Sequence, residues 1–237
     1  MGFDFHYMIG LLPILFKYLG VTMKMATLAM IFALILSVLI ANIRIFKIPV
    51  LDQISQIYIS FFRGTPLLVQ LFLFYFGLPQ VVPFFEGMSA FNAAVFGLSL
   101  HYAAYMAETV RAAILGIDKS QMEASLSVGM TTPQAMRRVI LPQATRIAFP
   151  SLMNYYIDLI KSTSLAFTLG VAEVMAKAQM EASSSFRFFE SFTAAALIYW
   201  LVVILLTRVQ NMVEAKLDKA YTNRTYALIA PTNFGNR

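Results

Sequence analysis

The chain has 237 residues, of which 59% are hydrophobic and only 13% charged, with a formal net charge of +6. An ordinary soluble domain carries about 25% charged and 45–50% apolar residues, so this chain has too little charge to wet a globular surface. Its apolar residues fall in blocks near the ~20 residues a helix needs to cross hydrocarbon, which excludes a soluble fold and predicts an all-α integral membrane protein.

In chain order, the first stretch, Phe5 to Val21, reads as an interfacial helix on the outer surface. Asp4 and His6 stand where a signal peptide would carry positive charge, and no small-residue cleavage site follows, so a cleaved leader is not expected. Uncharged runs then cover residues 25–43, 64–85, 87–107 and 191–207, and a further apolar run, 147–172, is broken by Asp158 and Lys161. Five transmembrane helices are expected, at about 22–43, 64–85, 88–110, 147–172 and 191–210, in a single membrane-spanning domain over 1–237. Between the first two, Val50, Ile54, Ile57, Phe61 and Phe62 recur at helical spacing opposite Asp52, Gln53, Ser55 and Gln56, the pattern of a connecting helix at the inner interface.

Five spans divide the loops into two sets. Thirteen of the eighteen Lys and Arg residues fall in one set and four in the other, so the positive-inside rule puts the N-terminus outside and the C-terminus in the cytoplasm. The basic charge is therefore a topology signal and implies no nucleic-acid partner. No cysteine is present, which excludes thiol chemistry and disulfides within the chain.

The longest cytoplasmic segment runs from Arg111 to Arg146, and its part 116–144 is organised. Ser120 followed by Glu123 fits a capping box, Gly129 fits a left-handed C-terminal cap, and Thr132-Pro133 fits the start of a second helix that Pro142 interrupts. Two short helices joined at a glycine make a stiff lever suited to docking a cytoplasmic partner, or simply an ordered loop.

Glu123-Ala124-Ser125, Gly129, Val139 and Leu141-Pro142 together resemble the EAA motif of ABC importer permeases, E-A-A-x3-G-x9-I-x-L-P, with Ser125 in place of Ala and Val139 in place of Ile. Arg63-Gly64-Thr65-Pro66-Leu67-Leu68-Val69-Gln70, the stretch Tyr105 to Arg111 and the stretch Ile160 to Leu165 resemble polar amino-acid permeases, and the likeness covers roughly Thr22 to Tyr221. The resemblance implies that Glu123, Ala124, Ser125, Gly129, Leu141 and Pro142 couple to a separate ATPase. It implies two cytoplasmic ATP-binding subunits carrying ATP and Mg, an extracytoplasmic substrate-binding protein, a second permease copy or homologue, and a bacterial inner membrane. The second span leans toward cystine-type permeases. The tail 222–237 has no reading.

Polar groups inside the bilayer are the default candidates for a transport pathway. Asp158 lies about 16 Å along its span from Ile147, near mid-bilayer, and Lys161 is one turn further on. Either they form an internal ion pair, or they meet the amino and carboxylate groups of a zwitterionic substrate. Ser162, Thr163 and Ser164 either line a broken helix or bond back to their own backbone. Tyr155, Gln70, Thr65 and His101 complete the pathway candidates; a lone His at such a place is otherwise a hydrogen-bonded packing residue. Glu108 and Arg111 read as a salt bridge or gate, and Ala93-x3-Gly97 and Ala103-x3-Ala107 as close helix packing.

The sequence holds no phosphate-binding loop and no Cys/His metal constellation, so no catalytic or metal residue is assigned, and energy must come from another polypeptide. The competing reading is an ion-coupled secondary transporter or channel. An intramembrane enzyme lacks any paired carboxylate or metal set.

Overall fold

The computed structural model describes the backbone of residues 3–229 and the side chains of residues 3–217. Among these residues the secondary structure is entirely helical. Asp4 caps α1 (Phe5–Phe16), its carboxylate accepting the Tyr7 N–H at 2.9 Å. Two residues later α2 (Leu19–Ile45) begins, and its 27 residues make a rod of about 40 Å. Ala26, Ala29, Ala33, Ser37 and Ala41 form its buried stripe, and these small residues let it lie close against α5 (Ala90–Leu115).

The amphipathic segment forms α3 (Leu51–Gly64) as expected. It presses Ser55, Ile59 and Phe62 onto the protein and leaves Ile54, Ile57 and Phe61 exposed to the surroundings. The next helix, α4 (Leu67–Val81), turns 112° away from it. The expected span 64–85 is therefore shorter at both ends. Pro66 denies Thr65 a helical conformation and holds it extended, so α4 starts only at Leu67, and Val82 ends it. Ser89 then caps α5 by accepting the Asn92 N–H at 3.2 Å.

After α6 (Lys119–Ser127), α7 (Thr132–Leu169) enters the bundle without stopping at Pro142. The expected interruption is absent because a π-turn, Met136–Ile140, immediately precedes it and Leu141–Ser162 continues as α-helix with the proline in its first turn. The expected span 147–172 also differs. Its α-helix ends at Ser162, tightens into a 3-10 stretch, Thr163–Leu169, and stops at Gly170, whose φ of +92° lies in the left-handed region. Then α8 (Val174–Ser185) leaves at 52° and α9 (Phe188–Ile229) closes the bundle; residues 230–237 of the tail lie outside the described residues.

By length and apolarity alone, α2 and the Phe188–Leu217 part of α9 are competent to cross a membrane, and the bent pairs α3 with α4 and α7 with α8 qualify when each is taken together. The five expected spans thus reduce to two to four on these criteria. The middle expected span, 88–110, corresponds to α5, which is long enough but carries His101, Glu108 and Arg111. It stands at the centre of the bundle, where neighbours rather than lipid cover its sides: Leu98, Tyr102, Ala103 and Met106 meet Met25 and Ala29 of α2 and Leu159 and Ile160 of α7 in the main core. A helix walled by protein need not be as apolar as one walled by lipid.

Candidate functional site

Asp158 and Lys161 on α7 form an ion pair at 2.9 Å, and their side chains stay about half exposed, 54% and 53%. Two groups hold the carboxylate side in place. The Tyr102 hydroxyl on α5 lies 2.8 Å from Asp158 Oδ2 and equally 2.8 Å from the Ser162 hydroxyl, so the three share one small network across two helices. Thr163 and Ser164 bond instead to the carbonyls of Ile160 and Lys161, three residues back, at 2.6 and 2.7 Å, which tightens the helix into its 3-10 stretch. Tyr155, one turn before Asp158, brings its hydroxyl 3.3 Å from Thr109 and its ring 6.3 Å from that of Tyr105.

Gln70 and Thr65 stand at the α3–α4 bend. Gln70 is 1% exposed, and its amide nitrogen reaches the carbonyls of Phe62 at 3.0 Å and Thr65 at 3.1 Å and the Thr65 hydroxyl at 2.8 Å. Its amide oxygen meets His101 Nδ1 at 2.9 Å. His101 in turn packs edge-on against Tyr102 and tilted against Tyr105, with ring centroids 5.3 and 5.1 Å apart. A continuous run of polar and aromatic groups therefore leads from the bend to the Asp158–Lys161 pair.

At the other end of α5, Glu108 accepts from Arg111 at 3.0 Å and from Arg44 of α2. Arg44 also lies 3.6 Å from Asp52 of α3, so this cluster fastens the ends of three helices. Sequence reasoning paired Glu108 with Arg111 and missed Arg44, which is 64 residues away along the chain.

The lever before α7 is built as two capped helices, though the caps sit elsewhere than expected. Asp118, not Ser120, starts α6: its carboxylate accepts the Ser120 N–H at 2.9 Å, a bond that pulls its pKa below the ordinary 3.8. The reciprocal capping bond appears at the second helix, where the Gln134 side chain accepts the Thr131 N–H at 2.9 Å, so Thr131 rather than Thr132 is the cap and Pro133 is one place further in. Gly129 does take the left-handed conformation, φ +82°, and the Met130 to Ser125 and Gly129 to Leu126 bonds close the end of α6 as a Schellman motif. Glu123 and Ala124 are exposed beside Leu126 and Val128, and Ser125 is buried with its hydroxyl bonded to Gln121 O at 2.7 Å. That bond explains why serine substitutes for alanine there at no polar cost. Leu141 is exposed at 41% and Pro142 is also exposed, in the first turn of the α-helical part of α7.

The family model described as binding-protein-dependent transport system inner membrane component matches residues 33–219. The chain belongs to that family. Among relatives of this permease, the probable amino-acid ABC transporter permease protein PatM of Vibrio harveyi is 78% identical over 93% of this chain and 99% of its own. The L-cystine transport system permease protein TcyL of Bacillus subtilis is 38% identical over 93% and 94%. A solved structure titled as an amino acid ABC transporter with histidines superposes at TM-score 0.83 with 34% identity, covering 91% of this chain and all of that one. The protein is thus a membrane-embedded permease subunit of an ABC transporter, a transport component rather than an enzyme, with ATP hydrolysis on a separate subunit, and the ion-coupled reading falls away.

Beyond Arg44 and Tyr102, a further residue of this permease had no counterpart among the expected site residues. Glu173, between the two halves of the α7–α8 bend, is 0% exposed. It caps α8 by accepting the Ala176 N–H at 2.7 Å, and it accepts from the Tyr199 hydroxyl of α9 at 2.8 Å and the Thr22 hydroxyl of α2 at 3.4 Å. Its partners are 26 and 151 residues away, and an acidic residue shortly after a glycine was the only local signal. A second unforeseen cluster ties α1 to the α8–α9 turn: Arg187 pairs with Asp4 and stacks 4.7 Å over the Tyr7 ring, and the Asp4 N–H meets Glu190 at 3.0 Å.

Proposed function

We propose that this permease forms the membrane pathway of an ATP-driven importer for a polar amino acid, and that Asp158 and Lys161 are where the substrate's two charges are met. The observation that carries the reading is the pair itself: opposite charges 2.9 Å apart, half exposed, on a membrane-embedded helix and oriented by Tyr102 and Ser162. A zwitterion entering between them exchanges one internal ion pair for two external ones, its ammonium on Asp158 and its carboxylate on Lys161. Tyr155, His101, Gln70 and Thr65 shape the approach, and the Arg44–Glu108–Arg111 cluster closes the far end of α5.

Five spans, with α5 as the central one, an outside N-terminus and a cytoplasmic C-terminus complete the arrangement, in agreement with the bias of cations toward the coupling-loop side. Two permease copies enclose the path about a two-fold axis. The exposed Glu123, Ala124, Leu126 and Val128 dock on an ATPase pair that carries ATP and Mg, and a binding protein delivers substrate at the opposite face. The names of the relatives support an amino acid as cargo, and cystine is the first to test.

The test is radiolabelled uptake by the full complex in vesicles, with binding protein added and ATP supplied on the ATPase side. Asp158→Asn loses a charge-assisted contact and reduces uptake about tenfold or more while assembly with the ATPase is kept. Glu123→Arg separates the functions the other way, abolishing substrate-stimulated ATP hydrolysis while the permease stays in the membrane. Full uptake by the Asp158 variant removes that residue from the pathway.

A further inference from the structure

A groove of about 760 Å³ opens on the side of the bundle, walled by α2, α5 and the first half of α7. It falls in the range of ~300–1,000 Å³ typical of sites for sizeable organic ligands. Its walls are almost wholly apolar and its lining includes no carboxylate. On the open side stand Leu34, Val38 and Phe46 of α2, exposed at 38%, 40% and 60%. At the end nearest the coupling loop the lining becomes polar, with Thr132 and Arg137, and Arg137 makes no ion pair with the described residues.

The groove is separate from the substrate path. Phe149, in its wall, and Asp158 are nine residues apart on α7, and at 100° per residue they point to opposite sides of that helix. An apolar slot open along α2, with one cation at its end and no anion, complements a molecule with a long hydrocarbon chain and a negative head. We propose that the groove holds one anionic phospholipid, an acyl chain along Val38 and Phe149 and the phosphate on Arg137. Because Thr132, Pro133, Met136 and Arg137 belong to the start of α7, directly after the coupling helix, the bound lipid joins α2 to the lever.

The experiment uses the full permease–ATPase complex in phosphatidylcholine vesicles doped with photoreactive phosphatidylglycerol or, separately, photoreactive phosphatidylcholine, each carrying its diazirine on the acyl chain. Labelled peptides are located by mass spectrometry. The expected result is labelling of the segments 34–46 and 141–152 by phosphatidylglycerol at least about fivefold above phosphatidylcholine, with Arg137→Gln removing that preference. Val38→Trp, a substitution at an exposed position that fills the slot, removes labelling by both lipids while leaving ATPase association intact. Equal labelling by the two lipids, or an unchanged preference in Arg137→Gln, overturns the proposal. So does a groove that is dark to both lipids but cross-links to a second permease copy.

Discussion

The two helix breaks of this permease solve one problem with opposite chemistry. At the α3–α4 bend of 112°, a helix ends and its last carbonyls are left without partners; Gln70 supplies an amide donor to Phe62 O and Thr65 O. At the α7–α8 bend of 52°, the gap is closed from the other direction: Glu173 supplies an acceptor to the first N–H groups of α8. Each side chain is buried, and neither break has bulk water to fall back on. They also differ in reach. Gln70 acts within its own hairpin and on His101, whereas Glu173 binds α2 and α9 at once and so holds the periphery of the bundle together.

The largest effect is expected where the reach is longest. Glu173→Ala strips Tyr199, Thr22 and the Ala176 N–H of their partner, and thermal unfolding of the purified permease should register a loss on the order of 3 kcal/mol. Glu173→Gln, which keeps an acceptor in place, should recover most of it; equal loss in both variants would mean that the charge, not the bonding, is what matters. Gln70→Leu leaves two carbonyls and His101 unsatisfied but disturbs a single hairpin, for about 2 kcal/mol. The glycines sharpen the contrast further. Gly170→Ala forces a side chain into the left-handed region and costs about 1 kcal/mol, while Gly64→Ala, at a bend made by Thr65 and Pro66, shifts stability by less than about 1 kcal/mol and in the stabilising direction. A larger loss at Gly64 than at Gly170 would reverse the account of which bend depends on glycine.

Part of the segment 116–144 was legible because helix caps are local: the left-handed Gly129 depends on residues a few places away. The caps that went astray are informative too. Asp118 and Ser120 are comparable N-caps, and Asp118 prevails by capturing the Ser120 N–H itself. The break after Ser162 was foreshadowed by the hydroxyl cluster, for which a broken helix was one of two readings, and the Asp158–Lys161 pair by its three-residue spacing. What sequence could not supply were contacts across the fold: Tyr102 to Asp158 spans 56 positions, Arg44 to Glu108 spans 64, and Thr22 to Glu173 spans 151. Periodicity also counted α5 among the lipid-crossing helices without revealing that it is the one surrounded by its neighbours.

The π-turn at Met136–Ile140 has a consequence for aim. A π-turn carries one residue more than an α-turn, so it resets the compass bearing of every side chain downstream by about 100° without lengthening the helix by more than a step. Asp158 and Lys161 point where they do because of that extra residue, some 20 positions before them. Deleting one residue within 136–140 would restore plain α-helix and leave both charges on Tyr102, whereas winding 136–140 as plain α-helix with every residue kept would swing them about 100° off it.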